Sequence, residues 1–180
     1  MTPVDQDAYG ELDTSSGAPV VRFCRNLPHP PEKVWRALSE DEHLAAWFPT
    51  TIEGDRRAGA PLEFNFRDGE GPSFSGEMVT FDPPSLMALR WGGDLVEFHL
   101  APDGAGTRLE LRATMDELGK AARDGAGWHS CLDALALDAA GTPDREEIGR
   151  HWEAHYAYYC DAFGPEACTV GPPEDGHATG

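Results

Sequence analysis

Two histidines, His151 and His155, stand one helical turn apart, a spacing used by many zinc sites. Zinc asks for a third ligand, and neither Glu147 nor Glu153 completes a recognised pattern with them. Both histidines flank an apolar stripe of Ile148, Trp152 and Tyr156, so they read as the edge of a packed helix, and no metal is expected. Trp128-His129-Ser130-Cys131 sets an imidazole beside a hydroxyl and a thiol, the ingredients of an activated nucleophile. Neighbours on a helix point about 100° apart, however, so His129 does not face Ser130. Cys131 falls on the apolar face of that helix and reads as a small hydrophobe in a cavity wall. The chain holds no Gly-rich phosphate loop, no G-x-S-x-G elbow and no paired-carboxylate signature. No catalytic residue and no cofactor are therefore assigned.

What remains is aromatic. Phe64, Phe66, Trp91, Phe98 and Trp128, with Met78, Cys131, Leu132 and Leu135, are the candidate walls of an apolar pocket closed by polar groups such as Arg90 or Glu77. In an ordinary domain such residues fill a close-packed core, and they touch a ligand only where the fold leaves space. His99 has the opposite parity to Phe98 and Leu100, which puts it on the outer face of its strand.

The elements that position these side chains are legible from periodicity. Val21, Phe23 and Leu27 mark a first long strand after a hairpin at residues 9–17. From Pro28 to Pro49 the pattern is helical. Pro30-Pro31 stops the strand and starts a helix carrying Val34, Trp35 and Leu38. Ser39 and Glu42 have capping-box spacing for a second helix with Leu44, Trp47 and Phe48. Period two then takes over. Leu62, Phe64 and Phe66 alternate with polar residues, and strands follow at 74–81, 86–91, 94–100 and 107–114 between Gly- and Pro-rich turns. Hairpins with no intervening helix predict an antiparallel meander. Period 3.6 returns over about 120–140, where Trp128, Cys131, Leu132, Leu135 and Ala139 share a face. A last helix is expected over 144–163. The domain is thus read as residues 9–141 with an appended helix at 142–164, and residues 1–8 and 165–180 as flexible tails.

The 180 residues suit a single core, and 32 acids against 14 bases give a formal charge of -18. That charge repels phosphate backbones and anionic membranes, so no nucleic-acid partner and no membrane insertion are expected. No secretory signal opens the sequence and no apolar run reaches the roughly 20 residues of a membrane span. Cys24, Cys131, Cys160 and Cys168 contain no C-x-x-C pair, and four free thiols in a cytoplasmic protein are expected.

The order strand, two short helices, antiparallel meander, long helix resembles the helix-grip superfamily, also called START-like or SRPBCC. Pro30–Leu38 (PPEKVWRAL), Glu42–Pro49 (EHLAAWFP), Gly76–Met87 (GEMVTFDPPSLM) and Ala126–Leu135 (AGWHSCLDAL) are similar to bacterial members related to the C-terminal domain of the activator of the ninety-kilodalton heat-shock protein's ATPase. The appended helix, with Trp152, Tyr156 and Phe163-Gly164, is also similar to that branch. The resemblance implies an α+β fold in which a curled antiparallel sheet of about seven strands wraps a long C-terminal helix around a cavity. It implies far less about activity, because such folds host many functions. The first expectation is non-enzymatic binding of a small hydrophobic or aromatic molecule. The alternatives are a cyclase–aromatase enzyme using Glu77, Arg90, Glu97 or His129 as acid or base, and a protein-interaction module. The eukaryotic activator reaches its chaperone partly through a separate N-terminal domain that these residues do not include, so a chaperone partner is not expected. The final helix is left with two roles, covering the domain's own core or meeting a partner, a homodimer included.

Overall fold

The computed structural model describes residues 8–172 other than 68 and 70. Strands β1 (Glu11–Asp13) and β2 (Val20–Leu27) come first, then helices α1 (Pro31–Ser39) and α2 (Asp41–Trp47). Six strands follow: β3 (Thr50–Glu53), β4 (Pro61–Phe66), β5 (Phe74–Asp82), β6 (Leu86–Trp91), β7 (Asp94–Asp103) and β8 (Gly106–Thr114). The chain ends in α3 (Ala121–Ala139), α4 (Glu147–Arg150) and α5 (Trp152–Phe163). All eight strands form one antiparallel sheet in the order β1-β2-β8-β7-β6-β5-β4-β3. The meander runs from β3 to β8, and β2 closes against the far side of β8.

Alternation sets which face is buried. Val96, Phe98 and Leu100 of β7 lie opposite Ala113, Leu111 and Leu109 of β8, and all six are buried. A bulge between Met78 and Thr80 shifts the β5–β6 register and bends the strand. The sheet has one strand more than the sequence suggested. Thr50–Glu53 spans only four residues directly after a helix, too few for alternation to register, yet Thr50 and Ile52 are buried and pair with Phe66 and Phe64.

The short helices lie where Pro28–Pro49 put them, but their junction differs. Glu40, in extended conformation (φ -88, ψ 133), precedes α2 and no side chain caps it. Ser39 instead turns back, its hydroxyl donating to Trp35 O at 2.8 Å. The last carbonyls of a helix have no partner within it, and here they are met from outside. Trp47 Nε1–H donates to Ala37 O at 2.7 Å, and Arg56 Nε donates to Ser39 O at 3.3 Å.

The long helix α3 carries buried residues nearly all round, because the sheet covers one side and α5 the other. The expected single helix over 144–163 is broken at His151 (φ -120, ψ 10), and Asp144 lies before it, accepting from Glu146 N–H. Gly149, a poor helix former, sits just before the break. Arg145 reaches across to α2, where its guanidinium donates to Ala45 O and Phe48 O at 3.1 and 3.0 Å. The Trp152 and Tyr159 side chains of α5 are buried within this chain.

Two expectations for the end of the chain change. Gly164, with φ +90, reverses the backbone, a conformation glycine adopts without steric cost. One 3-10 turn follows at Pro165–Ala167, Ala167 is buried, and Val170 N–H donates to Gly119 O at 3.0 Å. The segment up to 172 therefore packs on the domain. The reversal brings Cys168 to Cys160, which form a disulfide with Cα atoms 5.2 Å apart. Cys24 and Cys131 are the free thiols, in place of the four expected. The remaining expected tails, 1–7 and 173–180, lie outside the described residues.

Trp47→Phe keeps an aromatic ring but leaves Ala37 O, buried at the end of α1, without its donor. The expected cost is about 2 kcal/mol, read as a lower urea midpoint with an unchanged slope.

Candidate functional site

A cleft of about 370 Å³, partly open to solvent, lies between the ends of β4–β7 and the first half of α3. Its apolar walls come from Phe66, Phe74 and Trp91 on the sheet, Trp128 and Cys131 on α3, and Trp152 at the start of α5. Its polar end holds Asp94, Lys120, Arg123 and Asp124. The β6–β7 hairpin makes that end. Gly92 takes φ +58 in the turn, and Gly93 leaves room that a β-carbon would take from the Asp116 carboxylate.

Asp94 and Asp116 both grip Lys120 Nζ at 2.7 Å, and Asp94 also accepts from Asp116 N–H at 3.1 Å. Burial raises the Asp94 pKa in spite of the Lys120 hydrogen bond. Burial alone would lower Lys120, but the hydrogen bonds it donates to Asp116 and Asp94 outweigh it and the ammonium is held above its usual range. The two partners thus pull oppositely: Lys120 favours the ion pair and Asp94's desolvation opposes it. The 2.7 Å geometry and the second donor from Asp116 favour the ionised pair. Arg123 Nε donates to Asp124 at 2.7 Å, and among the described residues its other N–H groups have no hydrogen-bond partner.

Of the residues marked out by sequence, Phe66, Trp91, Trp128 and Cys131 stand on the cleft wall. Phe64 and Phe98 lie one layer behind. The Phe64 ring packs 4.9 Å from Trp91 and the Phe98 ring 6.4 Å from Trp128. Met78, Leu132 and Leu135 are buried in the core and do not line the cleft. Burial pushes the Cys131 thiol up to about 12, which makes it inert as a nucleophile. Glu77 and Arg90 are exposed. Glu97 lies on the outer face beside His99, their side chains 3.4 Å apart. The charged end of the cleft escaped sequence reading. Asp94 in a hairpin and Lys120 in a 3-10 turn are adjacent only once β7 and α3 are packed, and no periodicity signals that.

An open antiparallel sheet with two short helices after its first long strand, wrapped on a long C-terminal helix beside an aromatic cleft, defines a helix-grip (START-like, SRPBCC) domain. The family model described as Activator of Hsp90 ATPase homolog 1-like protein matches residues 28–137, more than half of the chain, and the chain belongs to that family. No curated protein matches it. Among solved structures it is similar to a conserved protein of unknown function from Enterococcus faecalis, with 18% identity over 86% of this chain and 90% of that one and a TM-score of 0.71. A protein from Bordetella parapertussis is similar at 29% identity over 78% of this chain and 84% of that one, with a TM-score of 0.63. DynU16, from the dynemicin biosynthetic locus, is similar at 25% identity over 69% of this chain and 48% of that one, with a TM-score of 0.61. Among the described residues no helix is long and apolar enough to cross a membrane.

On the flank of α3 turned away from the cleft, His129 is buried against α5. Gly10 N–H can only donate, so the Tyr159 oxygen accepts from it and its own proton is available to His129 Nδ1, each contact spanning 2.8 Å. The His129 and His155 rings stack 3.8 Å apart, and Asp133, salt-bridged to Arg25 at 2.8 Å, lies beside them. Burial, then the neighbouring His155 and Arg25, drives the His129 pKa down to about 2, and burial lowers His155 as well. An unfolded histidine titrates near 6.5, so below that pH the unfolded chain takes up a proton that the native His129 refuses. Stability is complete above about 6.5 and falls as pH drops towards 2. At pH 5 the loss from His129 is about 2 kcal/mol. Urea unfolding of chelator-treated protein at pH 7.5 and 5.0 should show it, and His129→Gln, although less stable, should flatten the difference. An equal pH dependence in the variant would contradict this.

Proposed function

We propose that this domain binds a small aromatic molecule in the cleft and releases it unchanged. The carrying observation is three indoles, Trp91, Trp128 and Trp152, around one cleft of about 370 Å³. That size falls in the lower part of the roughly 300–1,000 Å³ range of small-molecule sites. Trp91 and Trp128 meet edge to face with ring centroids 5.7 Å apart and are braced from behind by Phe64 and Phe98, so the walls are held before a ligand arrives. Stacking on these rings favours a flat, apolar body. At the polar end Lys120 is already satisfied by two carboxylates, while among the described residues Arg123 keeps unengaged donors. Arg123 therefore favours an acceptor group, such as a carboxylate, sulfonate or carbonyl, at one end of the ligand. The likeness to a protein of a biosynthetic locus is in keeping with a small-molecule ligand.

The cyclase-type alternative needs an acid or base that touches the ligand. Among the described residues Asp94 is the one buried carboxylate with a raised pKa on the cleft wall, and it is engaged by Lys120 and by Asp116 N–H. Binding without reaction asks nothing further of these residues.

The aromatic sulfonate 1-anilinonaphthalene-8-sulfonate is a suitable fluorescent probe. Trp128→Ala should weaken its binding about tenfold, near 1.4 kcal/mol. Gly127→Leu puts a side chain into the cleft from α3, where leucine also has the better helix propensity, and should abolish binding in a folded protein. Arg123→Gln should weaken the sulfonate but not neutral N-phenyl-1-naphthylamine. Unchanged probe binding by folded Gly127→Leu would overturn the assignment.

A further inference from the structure

His129 and Asp133 lie one turn apart on α3, and His155 meets them from α5. One donor atom from each comes within 4.8 Å of the other two. We propose that His129, Asp133 and His155 bind a divalent transition-metal ion, zinc above all, that ties α5 to α3. Two imidazoles and one carboxylate suit an ion of borderline softness, whereas magnesium and calcium favour all-oxygen sites.

The surrounding contacts leave the correct atoms for the metal. Nδ1 of His129 meets the Tyr159 hydroxyl at 2.8 Å, and Nδ1 of His155 meets Ser130 Oγ at 3.1 Å. Among the described residues no hydrogen bond takes either Nε2 atom, which leaves both for coordination, the division of labour usual in metal-bound histidines. Asp133 divides likewise: Oδ1 holds Arg25 at 2.8 Å, and Oδ2 lies 3.6 Å from His129 Nε2. Asp133 is partly exposed, which leaves an opening for a water as fourth ligand. Because burial keeps both imidazoles neutral, a metal meets little competition from protons there.

Coordination requires specific movement. Donor atoms of a tetrahedral zinc site sit roughly 3.3 Å apart, so the cluster must contract. The imidazoles now stack 3.8 Å apart with planes 23° from parallel, and their lone pairs must converge, which rotates the rings out of the stack. The His129–Tyr159 hydrogen bond must also reverse, with Nδ1–H donating to the phenol oxygen. The surface pair His151 and His155 is a different reading of the same helix. His151 is exposed, its ring centroid is 6.3 Å from that of His155, and among the described residues its one ion-pair contact is with Glu147, at 3.8 Å.

The test uses the full chain, stripped by chelator and titrated with zinc by calorimetry and with cobalt(II) by visible absorption. One ion per chain, a cobalt ligand-field band and a zinc-dependent rise in melting temperature on the order of 5 °C at a hundredfold excess over Kd are expected. Asp133→Asn and His155→Ala should lose the band, and His151→Ala should keep it. Since the buried variants test folding as well, the wild-type chain supplies an independent readout: zinc should move the imidazole 15N signals of His129 and His155 together and convert His129 to the Nδ1–H tautomer. Loss of binding in His151→Ala with Asp133→Asn unaffected would move the ion to the surface pair and overturn the proposal. No binding by the wild-type chain would overturn it outright.

Discussion

Everything in this molecule depends on the burial of α3 between two layers. A helix covered on one side only can be amphipathic. This one turns Trp128 towards Trp91 and Phe98 of the sheet and meets α5 through Gly125, His129 and Ser130. The hydrophobic effect supplies the driving force, and close packing fixes the geometry. The sheet bends over α3, but its strand ends do not all reach it. The gap that remains beside the β6–β7 hairpin is the cleft.

The two ends of that gap are held by different physics. At the apolar end indoles and phenyl rings brace one another edge to face, an arrangement that resists collapse because each ring is supported from behind. At the polar end Lys120 is drawn between Asp94 and Asp116, which ties the loop before α3 to the hairpin. The C-terminal segment reinforces this from the other side. Val170 bonds to Gly119, the residue before Lys120, and the Cys160–Cys168 disulfide holds that segment to α5. The appended helix and the chain beyond it therefore act on the mouth of the cleft.

Much of this was legible in the sequence, and the exceptions share a cause. Period-two alternation at Leu62-Phe64-Phe66 and at Leu109-Leu111-Ala113 is a local consequence of one buried face, so it survives in a single chain read alone. The same holds for the Pro31 helix start and for the stripe of α3. Thr50–Glu53 is a strand only because Phe64 and Phe66 pair with it, and its own four residues carry no period. Ser39 has the right type and spacing for a cap, but the two helices meet at an extended Glu40 and the hydroxyl bonds backwards to Trp35. Cys160 and Cys168 are brought together by the reversal at Gly164, which no cysteine count reveals. His155 was read with His151, its neighbour in sequence, while its contacts in space are Ser130 and His129. The aromatic cleft was half visible: residue type marked Trp91 and Trp128, but only packing separates the rings on the wall from Phe64 and Phe98 behind them.

The central claim is that an aromatic ligand lies among Trp91, Trp128 and Trp152. Its most direct test is a proton–nitrogen spectrum of the five indole N–H groups, recorded as 1-anilinonaphthalene-8-sulfonate is added. The signals of Trp91, Trp128 and Trp152 should shift and saturate together, while Trp35 and Trp47, packed in α1 and α2, stay in place. Shifts at Trp35 and Trp47 with the other three unmoved would contradict it.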